Sequence, residues 1–207
     1  LMRELVDSKL VPPAYYECFD EPFVNFGYNR TCVLRRAGQL ANQWWPATTG
    51  RPTYLLTLDA DMQLESVVLW STPQWLSEWG KLCSAHAISI QQGHGTNLRY
   101  WNVRLLRTDV PWESRGVTHE YTSPAEGFAG GEIRQQCHFL SIRDCNDGSN
   151  RSDKSERDIR LLQQSLAQDP TNARDWFYLG NTLRETKQYL EAIQAYEKHQ
   201  KLGSFPE

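Results

Sequence analysis

This 207-residue chain has no run of basic residues, no apolar stretch long enough for a membrane span and no C-x-x-C pair. Each absence removes a class of protein. Its 22 lysines and arginines are scattered among 25 acidic residues, and the net charge of −3 gives no general attraction for nucleic acid or an anionic membrane. A spanning helix needs roughly 20 consecutive apolar residues, which the sequence nowhere supplies, and no signal-peptide pattern opens it. The five cysteines, Cys18, Cys32, Cys83, Cys137 and Cys145, are odd in number and lack knuckle spacing. That argues against a disulfide framework and against a zinc site. The expectation is a protein with reduced thiols in a cytoplasmic setting, one ordinary domain or one with a small appendage.

What is present starts with residues 54–61. The apolar run from Tyr54 to Leu58 ends in Asp59-Ala60-Asp61. Continuous hydrophobicity predicts a strand ending at Asp59 and buried on both faces, as in the middle of a parallel sheet. Side chains two apart on extended backbone point the same way, so Asp59 and Asp61 could converge. Ligands of open α/β sheets bind beyond the carboxyl ends of strands, and paired carboxylates there suit a hard divalent cation. A strand running into an acidic turn would leave the same trace.

Around this run the periodicity alternates between elements. Val33, Leu34, Ala37, Leu40 and Ala41 form one apolar face of a helix predicted over residues 28–42. Residues 64–82 read as a short extended piece followed by a helix. Residues 85–90 read as a strand, with turn residues at 93–97. Residues 99–105 alternate, with Trp101, Val103 and Leu105 on one face and Tyr100, Asn102 and Arg104 on the other. An antiparallel hairpin is expected there, and residues 127–131 read as a surface loop.

The character changes near residue 150. Asp153-Lys154-Ser155-Glu156 has capping-box spacing, and helices are predicted over 153–168, 173–185 and 188–201. Trp176, Leu179, Gly180, Ala192 and Tyr196 stand at the spacings of a tetratricopeptide repeat. Small residues at 180 and 192 would let two helices approach closely, with Trp176 and Tyr196 filling the groove. The division implied is residues 1–150 and residues 151–207. The first is an α/β domain with a mixed sheet flanked by helices. The second is a small all-α segment with a possible protein partner.

Four segments then fall in a telling order: Asn25 to Arg30, Leu58 to Asp61, Trp112 to Tyr121 with Gly116-Val117-Thr118-His119-Glu120 inside it, and Asp144 to Lys154. Together with the repeat they resemble family-2-type glycosyltransferases of the GT-A fold that carry a C-terminal tetratricopeptide segment. The resemblance implies a Rossmann-like partial GT-A domain and inverting transfer from a nucleotide-sugar donor to a glycan or protein acceptor. It implies Mn²⁺ or Mg²⁺ on Asp59 and Asp61, with Asp144 or His138 as third ligand. The cation would offset charge building on the leaving diphosphate. Arg30 and Asn29 would line the nucleotide pocket, and Asp147, Arg151 and Lys154 would belong to a loop closing over the donor. Glu120 would take the acceptor proton, its pKa raised by burial, with His119 orienting it or reaching the metal. Trp44, Trp45 and Trp112 lie in polar loop sequence, where an exposed face would suit stacking on a sugar ring, although ordinary packing explains them too.

The resemblance is weaker at two places. Asn146 and Asn150 stand where the family is richer in glycine. About 27 residues precede the first predicted helix, where one βαβ unit takes about 30 or more. The expectation is therefore a domain incomplete at its nucleotide-binding front. Two other classes stay open: a non-catalytic tetratricopeptide interaction module on a degenerate transferase domain, and a phosphatase or nucleotidyl enzyme sharing only the carboxylate pair.

Overall fold

A computed structural model of the chain describes residues 20–45, 50, 52–94, 98–129, 131–145 and 153–203. The order is α1 (Phe26–Trp44), β1 (Tyr54–Leu56), β2 (Met62–Ser66), α2 (Pro73–Leu82), β3 (Ala87–His94), β4 (Leu98–Arg107), β5 (Trp112–Arg115), β6 (Tyr121–Pro124), β7 (Arg134–Asp144), α3 (Lys154–Gln168), α4 (Ala173–Glu185) and α5 (Tyr189–Leu202). Helix α1 begins two residues earlier than its predicted start because Asn25 supplies a cap, its side chain accepting from the Tyr28 N–H at 2.8 Å. Thr72 caps α2 in the same way through the Trp75 N–H.

Among the described residues, five strands form one sheet in the order β1–β4–β3–β7–β2, and β5 with β6 forms a separate hairpin. The β3–β7 pair is parallel and the other pairs are antiparallel, so the fold is mixed α/β. Adjacent residues feed opposite faces of the sheet. Ile88, Leu105 and Tyr54 join the core under α2, where Trp75 and Trp79 stack 5.6 Å apart. Ala87, Leu106 and Leu55 join Leu34 of α1 and Trp112 on the other side. Strands β5, β6 and β7 were not foreseen from the sequence. In β7, Cys137, Phe139, Leu140 and Ile142 are buried, and that apolar pattern skips out of alternation at Leu140.

The expectation of a central parallel strand over residues 54–59 is corrected. Regular pairing ends at Leu56, the strand lies at the sheet edge, and its described partner β4 is antiparallel. The run is apolar because Tyr54 and Leu55 serve the two cores, whereas Leu56 and Leu58 are exposed. Nor do the two aspartates stand on extended backbone. The Met62 N–H donates to the Asp59 carbonyl at 3.1 Å, closing a turn over residues 59–62.

That turn belongs to a short connection. Strands β1 and β2 occupy opposite edges, yet only residues 57–61 join them. Four strand spacings of a flat sheet and the reach of so short a segment are each about 20 Å. The sheet must therefore curl, and its bulges do this. The β3–β4 register moves from Ile88↔Leu105 to Ser89↔Val103, leaving Arg104 as an extra residue. The β3–β7 register moves from Ile90↔Cys137 to Gln91↔Ser141, so residues 138–140 have no β3 partner. The strict alternation expected over 99–105 thus breaks at Arg104, whose side chain is buried.

Helices α3 to α5 match their predicted ranges closely. The capping box does not form: Asp153 makes no side-chain cap bond, and its backbone φ of −110° with ψ of 9° is not the extended cap geometry. Leu162, Leu166, Leu179, Leu183, Ala192 and Ala195 make a separate core, which also takes Val117 from the α/β part. Gly180 and Tyr196 fit as the repeat spacing requires. A Cβ on Gly180 would lie 2.6 Å from the Tyr196 ring, whose hydroxyl is anchored to Asn181 Oδ1 at 2.8 Å. We expect Gly180→Ala to destabilise the protein by about 1–3 kcal/mol through overpacking, despite a gain in helix propensity of about 1 kcal/mol. A lowered urea midpoint with an unchanged slope is the predicted readout; an unchanged or raised midpoint would contradict the packing.

Candidate functional site

The site is built by docking α1 onto β5. The backbone N–H groups of Phe26 and Gly27, free at a helix start, donate to the Val117 and Gly116 carbonyls at 3.2 and 3.1 Å. A side chain on Gly27 would collide with the Gly116 carbonyl. One turn on, the Thr31 hydroxyl donates to the Ser114 carbonyl at 3.1 Å and accepts from the Ser114 N–H at 2.9 Å. Arg35 pairs with Glu113 at 2.8 Å. These contacts fix the helix against the 113–120 segment and aim Arg30 at its end.

Arg30 then meets two of the residues singled out above. Its Nη2 lies 2.9 Å from Asp59 Oδ1 and its Nε lies 2.5 Å from Glu120 Oε1. One guanidinium therefore bridges the first aspartate of the D-x-D and the carboxylate read as a base. Glu120 is enclosed, with 18% of its side chain exposed, but its neighbour is a cation and not an apolar wall. All three residues line one open groove of about 1360 Å³, with Trp45, Trp101 and Tyr121 also on its walls.

Arg104, which the sequence reading placed in a plain alternating strand, forms the floor. The bulge turns it inward, where Nη2 donates to Gln92 Oε1 at 2.7 Å and Nη1 lies 3.7 Å from Asp59 Oδ2. Burial lowers its pKa, opposed by the charge of Asp59. Gln92, also buried, donates to Asp144 Oδ2 at 3.5 Å. A polar chain Asp59–Arg104–Gln92–Asp144 thus joins two of the three aspartates expected at a metal. The third is tied in by backbone, since the Cys145 N–H donates to the Asp61 carbonyl at 2.8 Å. Among the described residues, no three His, Cys, Asp or Glu side chains gather into a group that could hold a metal ion by themselves. The signal for Arg104 and Gln92 was available, as polar residues set in apolar strands, but alternation only grouped Arg104 with Tyr100 and Asn102.

Of the other expected residues, Asn29, Trp44 and Trp45 also line the groove. Asn29 accepts from the Val24 N–H and donates to the Pro22 carbonyl, both at 2.9 Å, so its amide holds the segment entering α1. Lys154 is exposed on the first turn of α3. Asp147 and Arg151 lie outside the described residues. His138 packs edge-on against Trp101 at 5.0 Å. Trp112 is a core residue whose indole N–H donates to the Arg107 carbonyl at 2.8 Å, so of its two readings ordinary packing holds and the stacking face does not. Trp44 ends α1, while Trp45, just beyond it, is exposed. Cys32, Cys83, Cys137 and Cys145 are free thiols, and Cys18 lies outside the described residues.

His119 lies beside Glu120 in the chain but faces the helices. Its backbone is left-handed, with φ of 49°, and its ring stacks on Tyr178 of α4 at 4.4 Å with 13° between planes. The residue as a whole is exposed, yet the stacked face is not. Desolvation is the largest cause of a lowered pKa; Asp158 opposes it, and Lys154 and Arg174 add to it.

A tetratricopeptide repeat family model matches residues 161–194, from the middle of α3 into α5. No curated protein matches the chain. No described helix is long and apolar enough to cross a membrane.

Because His119 ionises less readily in the folded state, its contribution to stability is present above its unfolded pKa and lost as pH falls below about 6.5. His119→Phe keeps a ring for Tyr178 but cannot take up the proton. We expect its stability to fall less than that of the wild type between about pH 7 and pH 5, followed by urea unfolding. Parallel losses in the two proteins would show that His119 does not carry this dependence.

Proposed function

We propose that this chain is a metal-dependent inverting glycosyltransferase, moving a sugar from a nucleotide-sugar donor to an acceptor. One juxtaposition supports the reading: Arg30 touches both Asp59 and Glu120, and the three residues, which come from three of the ordered segments, line one groove. In such a transfer the acceptor oxygen forms a bond to the anomeric carbon from the face opposite the leaving diphosphate. The breaking sugar–oxygen bond leaves its electron pair on the diphosphate. Glu120 would accept the acceptor proton, and Arg30 beside it would meet donor phosphate. Trp101 and Tyr121, both partly exposed on the groove, would offer rings to a sugar.

The carboxylates Asp59, Asp61 and Asp144 offer hard oxygens suited to Mn²⁺ or Mg²⁺, which keep waters and need few protein ligands. When bound, the ion would supply charge stabilisation to the leaving diphosphate. Since Asp59 is held by Arg30 and Arg104, loading the ion on Asp59 would compete with those pairs. A second reading rests on a different observation. Tyr189, Leu190 and Ile193 expose apolar surface on α5, within or beside the matched repeat, which fits a protein-binding module without catalysis.

Calorimetric titration of a panel of nucleoside diphosphates, with and without Mn²⁺, separates the two. We expect Mn²⁺-dependent binding that weakens at least about tenfold in Asp61→Ala, and turnover that falls at least about a hundredfold in Glu120→Gln with donor affinity nearly unchanged. Absence of any metal-dependent nucleotide binding would reject the transferase reading in favour of the interaction module. Wild-type turnover by Glu120→Gln would remove Glu120 from its role.

A further inference from the structure

The segment carrying Glu120 is gripped from outside the α/β part. Arg174, on the first turn of α4, reaches across with Nη1 3.5 Å from the Thr118 carbonyl and Nη2 hydrogen-bonded to the His119 carbonyl. Its guanidinium lies between two rings, 5.0 Å from the centre of Tyr121 and 4.5 Å from that of Tyr178. His119 stacks on the same Tyr178, and Val117 enters the helical core. Residues 117, 118, 119 and 121 are thus all held by the helices, and Glu120 alone turns the other way, to Arg30. The left-handed backbone at His119 lets consecutive side chains part to opposite sides. Gly116, with φ of 99°, passes so close that a Cβ there would lie 2.7 Å from Arg174 Nη1.

We propose that Arg174 is a positioning residue for Glu120, so that the tetratricopeptide helices complete the transfer site and are not a separable appendage. Its effect on turnover rests on the transferase reading; its hold on the 117–121 segment does not. The arginine fork satisfies two successive carbonyls while its flat faces take up aromatic rings, a set of contacts that an ammonium cannot reproduce in full. Loss of that fork frees a strained turn, and Glu120 loses its fixed position relative to Arg30 and Asp59.

Hydrogen exchange on the whole chain tests the hold directly. In Arg174→Ala, amides of residues 117–121 should exchange about tenfold faster, while those of α3 and α5 stay within about twofold of wild type. Should Arg174→Ala loosen the helices as well, Arg174→Lys decides, since it keeps the stem and the charge but loses the fork on two carbonyls, and it predicts a smaller increase at the same amides. Unchanged exchange at 117–121 in Arg174→Lys, or in an otherwise intact Arg174→Ala protein, would overturn the proposal. On the transfer itself, Arg174→Ala should lower kcat about a hundredfold with donor KM within about twofold, and Arg174→Lys should recover part of kcat. A raised KM with unchanged kcat would also overturn it. A wild-type chain with no turnover, yet with faster loop exchange in Arg174→Ala, would reject the transferase reading and leave the hold on the 117–121 segment standing.

Discussion

The site depends on one guanidinium shared by two carboxylates. Arg30 joins Asp59, at the turn leaving the sheet edge, to Glu120, on the segment leaving the β5 strand. Neither acid is near Arg30 in sequence, and the contact exists only because α1 is docked rigidly on β5. Its first free N–H groups are capped by the carbonyls of residues 116 and 117, and Thr31 exchanges two hydrogen bonds with Ser114. Remove that docking and three charged side chains would face water separately. With it, charges of opposite sign lie close enough on a partly enclosed wall to be ordered, and an incoming anion or cation must compete with a pair already made.

The second constraint is the short link between the two edges of the sheet. Residues 57–61 are few and partly taken up in a turn, so the D-x-D has to lie where the curl of the sheet carries it. The bulge that contributes to the curl also ejects Arg104 from alternation and buries it beneath Asp59. Curvature and chemistry therefore have a common origin in one extra residue. This is the usual use of bulges near functional sites, where they re-aim a side chain that a regular strand would point outward.

Much of the fold was legible locally. The apolar stripe of α1, the hairpin of β3 and β4 and the three C-terminal helices follow from periodicity and turn residues, which act over a few positions. The repeat spacing of Gly180, Ala192 and Tyr196 encodes a helix–helix contact directly, because close approach demands small residues at fixed places. Strand β1 misled because an edge strand serving two cores is as apolar as a central one. For Trp112 the polar neighbours left packing and stacking both open, and only the core of a short hairpin decided for packing. Strand β7 was missed because a register jump breaks its alternation.

By itself, the sequence determined the helices and the hairpin, which are written in spacing along the chain, and it carries the motif order whose resemblance to a known family points to Arg30, Asp59 and Glu120. Tertiary structure decided which of these meet. It put Arg30 between two acids, turned His119 toward the helices and Glu120 away from them, drew Arg104 and Gln92 into the floor and brought Arg174 over from the repeat. The reason is physical. Contacts between residues dozens of positions apart depend on strand register, sheet curl and helix docking, and these arise from the packing of the whole chain and from no local pattern.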